Sequence, residues 1–126
     1  MSEPNLILVV EDNEANQLLT AALLEREGYR VELATSSDQA SRVLGDRRPD
    51  LILMDVQLPG EDGLSFTRRL RADPLTAAIP IVALTALAMS GDQERTLAAG
   101  CNGYIAKPID TRTFAVDIRR YLARPA

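Results

Sequence analysis

Residues Leu51–Gly60, LILMDVQLPG, pass from four consecutive apolar residues to an aspartate and then to a Pro-Gly turn. A short run that is apolar at every position is typical of a strand buried on both faces, as in a parallel sheet covered by helices. Further short apolar runs, rich in leucine or β-branched residues, lie at Leu6–Val10, Val31–Ala34, Ile81–Leu84 and Tyr104–Ala106, and the second of them is interrupted by Glu32. Five parallel strands are therefore predicted.

The segments between these runs carry apolar residues at helical spacing. The first and last such stripes consist of Leu18, Leu19, Ala22 and Leu23, and of Phe114, Ile118, Tyr121 and Leu122. Glycines follow three of the predicted helices, as they do at helix C-termini: Gly28, Gly45 and Gly100. Ser90 and Gln93 have the spacing of a capping box at the start of the fourth helix.

Five strand–helix repeats joined by right-handed crossovers leave few topologies. We predict an α/β fold, a five-stranded parallel sheet in the flavodoxin-like order 2-1-3-4-5 with helices on both faces. Residues 1–126 are expected to form one domain, and the chain to be a stand-alone protein without an output domain.

Composition excludes several classes of function. The chain lacks histidine, which rules out Ser-His-Asp and Cys-His catalysis, and its single cysteine, Cys101, is expected to be a small apolar residue. The net charge is −4, so direct binding of nucleic acid is not expected, and the arginines Arg68, Arg69 and Arg71 are interpreted as a solvated helix face. No run approaches the length of a membrane span, so we expect a cytoplasmic protein.

Polar residues follow four of the predicted strands: Glu11 and Asp12, Asp55, Thr85, and Lys107. The carboxyl ends of parallel strands share one edge, so these groups are expected to converge there. Three carboxylates at one place repel each other, and a divalent cation with oxygen ligands, such as Mg²⁺, relieves that repulsion. Taken singly, each has a structural explanation, since Asp12 or Asn13 could cap the first helix and Asp55 could form a turn.

Lys107 stands out because the other thirteen basic residues are arginines. An ammonium is a compact charge on a flexible stem, whereas a guanidinium is a wide planar fork. The single lysine in the stretch Gly103–Ile109, GYIAKPI, is either a matter of chance in an arginine-rich sequence or the mark of a site with room for an ammonium and none for a guanidinium. A cis peptide bond between Lys107 and Pro108 would help to direct the ammonium, since cis bonds occur mainly before proline.

With these motifs, the chain from Leu6 to Leu122 resembles the receiver domain of two-component response regulators. The matching residues are Glu11, Asp12, Asp55 with LPGEDGL after it, Thr85-Ala86, Tyr104 and Lys107-Pro108. The stretch near its start, VVEDNEAN, and the stretch near its end, GCNGYIAKPI, look most like those of stand-alone, DivK-type regulators and of the receivers of hybrid kinases.

The resemblance implies that Asp55 accepts a phosphoryl group from a histidine kinase or a histidine phosphotransfer protein, in a reaction that needs Mg²⁺. The ion would be held by Asp12, Asp55, the backbone carbonyl of Gln57 and waters oriented by Glu11. Lys107 would contact the phosphoryl group. No separate substrate is turned over, so the chain is not expected to be an enzyme in the usual sense.

The resemblance also implies a switch and a partner surface. Thr85 would bond the phosphoryl group and Tyr104 would turn into the vacated space, changing the face of helix 4, strand 5 and helix 5 that meets a downstream protein. Gln57 and Leu87 are expected to border the path of attacking water and to tune the lifetime of the modified state. A monomer or weak dimer is expected.

Three other interpretations are open at this point. A haloacid dehalogenase-type phosphatase also uses a strand-end aspartate with Mg²⁺, but it usually needs an acid where Gln57 stands. A phosphorylation-independent pseudo-receiver would not need the set of Glu11, Asp12, Asp55, Thr85 and Lys107. The chain could also be a receiver cut from a hybrid histidine kinase.

Overall fold

A computed structural model describes residues 5–86 and 90–123, and these form five strands that alternate with five helices. The strands are β1 (Leu6–Val10), β2 (Arg30–Ala34), β3 (Leu51–Asp55), β4 (Ile81–Thr85) and β5 (Gly103–Ala106). The helices are α1 (Glu14–Arg26), α2 (Ser37–Asp46), α3 (Gly63–Ala72), α4 (Ser90–Ala99) and α5 (Phe114–Ala123).

The strands form one parallel sheet in the order β2-β1-β3-β4-β5. This confirms the predicted flavodoxin-like topology. The three central strands are buried at every residue, whereas the two edge strands β2 and β5 are not. Continuous apolar runs therefore marked the strands that have helices over both faces and a neighbour on each side.

The sheet separates two apolar layers, because successive side chains of a strand point to opposite faces. In β1, Leu8 and Val10 pack with α2, α3 and α4, while Ile7 and Val9 pack with α1 and α5. Phe66 of α3 and Phe114 of α5 are among the largest fully buried side chains, one in each layer.

Helix α1 corrects one sequence interpretation. Leu18 is 63% exposed and Leu19 is 36% exposed, whereas Thr20, Leu23 and Leu24 face the core. Apolar residues occur on both sides of this helix, so their spacing could not tell which side meets the sheet. Leu23 thus does not belong to the same side as Leu18. The exposed apolar surface of this helix consists of Ala15, Leu18, Leu19 and Ala22.

The glycines at helix ends were predicted correctly in two of three cases. Gly28 and Gly100 directly follow the last turns of α1 and α4 and have φ values of 91° and 112°, which glycine adopts without steric cost. Gly45 instead lies inside α2, which continues to Asp46. Ser90 is the first residue of α4, so the proposed capping box begins inside that helix.

Arg71 corrects the interpretation of the arginines of α3 as a solvated face. Its guanidinium donates to the carbonyls of Gly100 at 2.8 Å, Ala77 at 3.0 Å and Ile79 at 2.7 Å, and to the side chain of Asn102 at 2.8 Å. Arg71 thus ties α3 to the segments that lead into β4 and β5. These contacts lie at the edge of the sheet where those strands begin.

Cys101 is buried under α3, as expected of a small apolar residue. Burial raises the pKa of its thiol, although Thr67 and Arg71 act in the opposite direction. We expect the thiol to react with a disulfide reagent about 10²-fold more slowly in the native protein than in urea, because the thiolate is the reactive species. Absorbance of the released thiol measures this rate. Equal rates in both states would show that Cys101 is accessible.

Candidate functional site

Four strands bring the predicted polar residues to the same edge of the sheet. Glu11 follows β1, Asp55 and Thr85 are the last residues of β3 and β4, and Lys107 follows β5. Strand register places Asp55 beside Leu84 and Thr85 beside Ala106.

The two acids after β1 have different environments. Glu11 is fully buried, and the side chain of Gln17 donates to its backbone carbonyl at 2.5 Å. Asp12 is exposed and does not cap α1: the N-cap is Asn13, whose side-chain oxygen accepts from the backbone of Asn16 at 2.9 Å. The capping role is therefore filled by Asn13, which leaves the Asp12 carboxylate to the acidic cluster.

The Asp55 carboxylate is held by two different donors. The backbone N–H of Gln57 donates to Oδ1 at 2.9 Å, and the Lys107 ammonium donates to Oδ2 at 3.0 Å. Asp55 is only 4% exposed. Both carboxylate oxygens are therefore oriented by the protein, one by the loop after β3 and one by the loop after β5.

Lys107 lies between two buried carboxylates. Its Nζ is 2.9 Å from Glu11 Oε1 as well as 3.0 Å from Asp55 Oδ2, and the lysine side chain is 18% exposed. The contact with Glu11 has the distance of an ion pair but not the angles of a hydrogen bond, so Oε1 accepts no hydrogen bond from the described residues. The Lys107–Pro108 peptide bond is cis, as expected.

The electrostatics of the site separate its two buried acids. Burial and the neighbouring Glu11 raise the pKa of Asp55 from 3.8 to about 6, against the effect of Gln57 and Lys107. Burial also disfavours ionisation of Glu11, but its contacts with Asp55 and Lys107 outweigh this and hold its pKa below the ordinary value. Burial likewise opposes the charge on Lys107, whose pKa is nevertheless raised by the two carboxylates.

The residues fit a hard divalent cation. One carboxylate oxygen each from Glu11, Asp12 and Asp55 lie within 4.8 Å of one another. Two oxygens bound directly to one Mg²⁺ are at most about 4.2 Å apart, given Mg–O distances of about 2.1 Å. The cluster is therefore close to the size that direct coordination needs, and Oε1 of Glu11 is a buried acceptor suited to a metal-bound water.

The other predicted site residues differ in how far they are exposed. Thr85 is buried, Gln57 is exposed, and Tyr104 is half-buried in β5, where it packs against the layer under α2, α3 and α4. Tyr104 also lines a cavity of about 250 Å³ with Pro108 and Phe114. Leu87 lies outside the described residues.

The sheet order and the acidic cluster at its edge agree with the family to which the sequence is similar. The sequence model of the response regulator receiver domain matches residues 7–119. The chain belongs to the response regulator receiver family. Receiver domains are phosphoacceptors of two-component systems rather than conventional enzymes, and they bind Mg²⁺ at an acidic site.

Relatives of this receiver include both stand-alone regulators and parts of larger proteins. The polar-differentiation response regulator DivK of Brucella anthropi is 43% identical over 119 residues, which are 94% of this chain and 97% of that protein. The receiver domain of a sensor histidine kinase from Pseudomonas aeruginosa, with a magnesium ion coordinated in its active-site cleft, is also 43% identical. Its structure has a TM-score of 0.87 and the match covers 96% of this chain and 99% of that one.

A more distant structure shares the same fold. The chemotaxis response regulator CheY4 of Vibrio cholerae is 25% identical, with a TM-score of 0.89 over 94% of this chain and 98% of that one. Among the described residues of this receiver, none of the helices has the length and apolar character that crossing a bilayer requires.

Two residues that shape the site were missed by the sequence interpretation. Gln17 holds the main chain of Glu11 from six residues away, and no local pattern marks it. Gly63 begins α3 and contacts the backbone of Asp55. The motif LPGEDGL supports the family resemblance as a whole but predicts no role for Gly63, because the contact of this glycine with Asp55 depends on how α3 packs against the end of β3.

The pKa of Asp55 predicts how Mg²⁺ binding depends on pH. Below about pH 6 the carboxyl carries a proton that the metal must displace, so the affinity is expected to fall about tenfold per pH unit there. Calorimetric titration with Mg²⁺ between pH 7.5 and pH 5 measures this. Asp55→Asn, the control, is expected to bind weakly without this pH dependence, and an unchanged wild-type affinity at pH 5 would contradict the prediction.

Proposed function

We propose that the chain is a stand-alone response regulator that accepts a phosphoryl group on Asp55 in a Mg²⁺-dependent reaction. The observation that carries the proposal is the buried Asp55 carboxylate, with Lys107 Nζ 3.0 Å from Oδ2 and the oxygens of Glu11 and Asp12 beside it. Phosphoryl transfer asks a protein mainly for positioning and charge neutralisation, and this arrangement supplies both.

In the proposed transfer, an electron pair of an Asp55 oxygen forms a bond to phosphorus as the bond from phosphorus to the partner's histidine nitrogen breaks. The imidazole leaves with the electron pair of the broken phosphorus–nitrogen bond and takes up a proton from water. Lys107 neutralises charge on the phosphoryl oxygens, and the Gln57 N–H keeps the carboxylate oriented. A Mg²⁺ held by Asp12, Asp55 and the backbone carbonyl of Gln57, with Glu11 acting through water, would supply further positive charge.

The attacking form of Asp55 is the carboxylate. Because its pKa in the metal-free site is about 6, the group is mostly ionised at neutral pH. Ionisation is resisted by Glu11 and assisted by Lys107, so a bound cation would complete it. After transfer the residue carries roughly −2 charge and new acceptor oxygens. Neighbouring groups at this edge of the sheet can then form hydrogen bonds to it.

We assign the response to Thr85 and Tyr104. Thr85 ends β4, the strand next to the one that ends in Asp55. Tyr104 lies on the following strand, β5, where its register partner is Ala83 of β4. A shift of the Thr85 hydroxyl toward the phosphoryl group would open space for the half-buried Tyr104 ring. The face of α4, β5 and α5 would then change, and the exposed Leu97 and Val116 on its two helices offer apolar contacts to a downstream protein.

The phosphoryl donor is proposed to dock on the exposed apolar stripe of α1, which consists of Ala15, Leu18, Leu19 and Ala22. Their i, i+3, i+4, i+7 spacing makes one continuous stripe, the kind of surface that packs against another helix. The helix begins at Glu14, directly after the acidic residues, so a helical partner seated on the stripe lies next to Asp55. A histidine kinase or a histidine phosphotransfer protein that presents its histidine from a helix suits this position.

The stand-alone role is supported by the DivK relative, 97% of whose length is matched. The receiver of a sensor histidine kinase is equally similar, at 43% identity. The second candidate is therefore that this chain is a receiver from a hybrid kinase. Under the proposal, residues 1–126 act as a single cytoplasmic receiver. It signals through protein contacts as a monomer or weak dimer, and does not bind nucleic acid.

Intact-mass measurement after incubation with Mg²⁺ and acetyl phosphate tests the phosphoacceptor role. We expect a gain of one phosphoryl group, lost in Asp55→Asn and in the presence of EDTA. Asp50→Asn is the matched control, because Asp50 lies directly before β3 and its side chain accepts from the backbone N–H of Leu6 at 2.7 Å, at the opposite end of the strand from Asp55. It should be modified like the wild type.

A different pattern would decide against the proposal. If neither acetyl phosphate nor a histidine kinase modifies a folded, Mg²⁺-binding protein, the chain is a phosphorylation-independent pseudo-receiver. If the mass gain persists in Asp55→Asn, another residue is the acceptor.

A further inference from the structure

Gly63, the first residue of α3, packs directly on the main chain of Asp55. A Cβ atom built on Gly63 would overlap the backbone carbonyl oxygen of Asp55, lie 2.9 Å from its carbonyl carbon and 3.1 Å from Cγ of Met54. Cβ atoms do not approach other heavy atoms below about 3 Å without displacing them. The helix therefore lies as close to this strand end as a backbone without a side chain permits.

The need for glycine at this position is steric and not conformational. The glycines with positive φ in the described chain are Gly28, Gly60 and Gly100, and Gly63 is not among them. An alanine could adopt the backbone conformation of Gly63 without strain. What alanine could not do is share space with the Asp55 peptide.

Neither partner in this contact can move away at low cost. The start of α3 is tied down, since Gly63 N–H donates to Val56 O at 3.0 Å and Thr67 Oγ1 donates to Gly63 O at 2.8 Å. Leu64 and Phe66 of the same turn are buried. Asp55 is also fixed, because β3 is paired on both sides in the centre of the sheet. A displacement at Gly63 is therefore expected to pass into the strand end.

We propose that Gly63 is a positioning residue for Asp55. The close approach of α3 fixes the position of the Asp55 peptide. It thereby fixes the position of the Asp55 carboxylate relative to Lys107 and to the carboxylates of Glu11 and Asp12. This rests on the proposed function, since it concerns the same site. A Cβ at this position would move the carboxylate out of the geometry that binds Mg²⁺ and accepts the phosphoryl group, while leaving every functional side chain present.

The test compares Gly63→Ala with two matched variants. Gly45→Ala is the same substitution inside α2, where a Cβ would meet nothing within 4 Å. Leu70→Ala removes a buried side chain from the far end of α3 and lowers stability without touching Asp55. Mg²⁺ affinity by calorimetry and the rate of phosphorylation by acetyl phosphate are measured at 10 °C in trimethylamine N-oxide, which favours the folded state.

We expect Gly63→Ala to lower the Mg²⁺ affinity and the phosphorylation rate at least tenfold each, and to shift the amide NMR signals of Gln57 and Lys107. Gly45→Ala and Leu70→Ala should keep wild-type affinity and rate, although Leu70→Ala melts earlier. A purely structural role would make Gly63→Ala behave like Leu70→Ala, and that result would overturn the proposal. So would a Gly63→Ala protein that stays unfolded in the osmolyte, since the contact would then decide folding rather than position.

The affinity measurement separates this proposal from the proposed function. If the wild type binds Mg²⁺ but is not phosphorylated, the phosphoacceptor role fails, while the effect of Gly63→Ala on Mg²⁺ affinity and on the two amide signals still decides the positioning role. If the wild type is phosphorylated and Gly63→Ala matches it, the positioning role alone fails.

Discussion

Replacing Lys107 with methionine is expected to slow Mg²⁺-dependent phosphorylation by acetyl phosphate about 10²-fold, the usual effect of losing one preorganised charge contact in an active site. Lys107 is the basic group that meets Asp55, at 3.0 Å, and it meets Glu11 at 2.9 Å from the same nitrogen. Without it, the charge that develops on the phosphoryl oxygens would face only carboxylates among the ionised side chains of the cluster.

The same substitution should destabilise the fold in a pH-dependent way. Removing one partner of a buried ion pair typically costs about 3 kcal/mol or more, because the other charge stays buried without compensation. For Asp55 this loss should shrink as the pH falls below about 6, since the carboxyl then takes up a proton and no longer needs the ammonium. Urea unfolding at pH 7 and pH 5 measures the difference.

Lys107→Arg separates charge from shape. Arginine keeps the positive charge and should recover part of the stability at pH 7. Its guanidinium is wider than the ammonium that now lies between the two buried carboxylates, so it cannot take the same place, and the phosphorylation rate should stay well below that of the wild type. A rate for Lys107→Arg equal to the wild-type rate would show that the site needs only a charge.

Arg71→Met is expected to lower the free energy of unfolding by about 3–5 kcal/mol, because it removes the one guanidinium that now donates hydrogen bonds to several acceptors. Three backbone carbonyls would lose the donor that Arg71 provides, and the side chain of Asn102 would lose one of its two donors. Asn102 also accepts from the backbone of Ile81 at 2.8 Å, so its loss of order would reach the first residue of β4. Thermal unfolding should show a fall of about 10–20 °C.

Arg68→Met is the control on the same helix. Arg68 is exposed, and exposed substitutions usually change stability by no more than about 0.5 kcal/mol. Arg71→Lys should lie between the two, since a lysine can satisfy fewer of the acceptors. Phosphorylation of folded Arg71→Met should match the wild type, because Arg71 binds the segments before β4 and β5 and the site lies at the other ends of those strands. Equal stabilities of Arg71→Met and Arg68→Met would refute the role given to Arg71.

The strand order was predictable because it depends on a pattern that is local and physically strict. A run such as Leu51–Met54 cannot face water on either side, so it needs helices on both faces and a parallel arrangement. The predicted convergence of polar residues is a consequence of this order, and the structure brings Glu11, Asp12, Asp55 and Lys107 together. Their roles in phosphoryl transfer are our proposals.

The buried faces of the helices were less predictable. The sequence of a helix shows which face is buried only when one face is apolar and the other is polar. Leu18 and Leu23 were assigned to one stripe, yet Leu18 is 63% exposed and Leu23 is buried. Arg71 shows the same limit for charged residues. In the sequence, Arg71 cannot be told apart from Arg68 and Arg69, which are arginines of the same helix. The acceptors that distinguish Arg71 come from loops up to 31 residues away.

By itself, the sequence determined the class of fold, the order of the strands and the edge of the sheet where the acids and the lysine meet, since these depend on apolar runs and on the polar residues directly after each run. Only the tertiary structure decided the position of Lys107 between two buried carboxylates, the raised pKa of Asp55 and the close approach of Gly63 to the Asp55 peptide. These properties depend on distances of about 3 Å between residues far apart in the chain. Local patterns do not encode such distances, because they arise when the packed layers fix the strand ends and helix starts against each other.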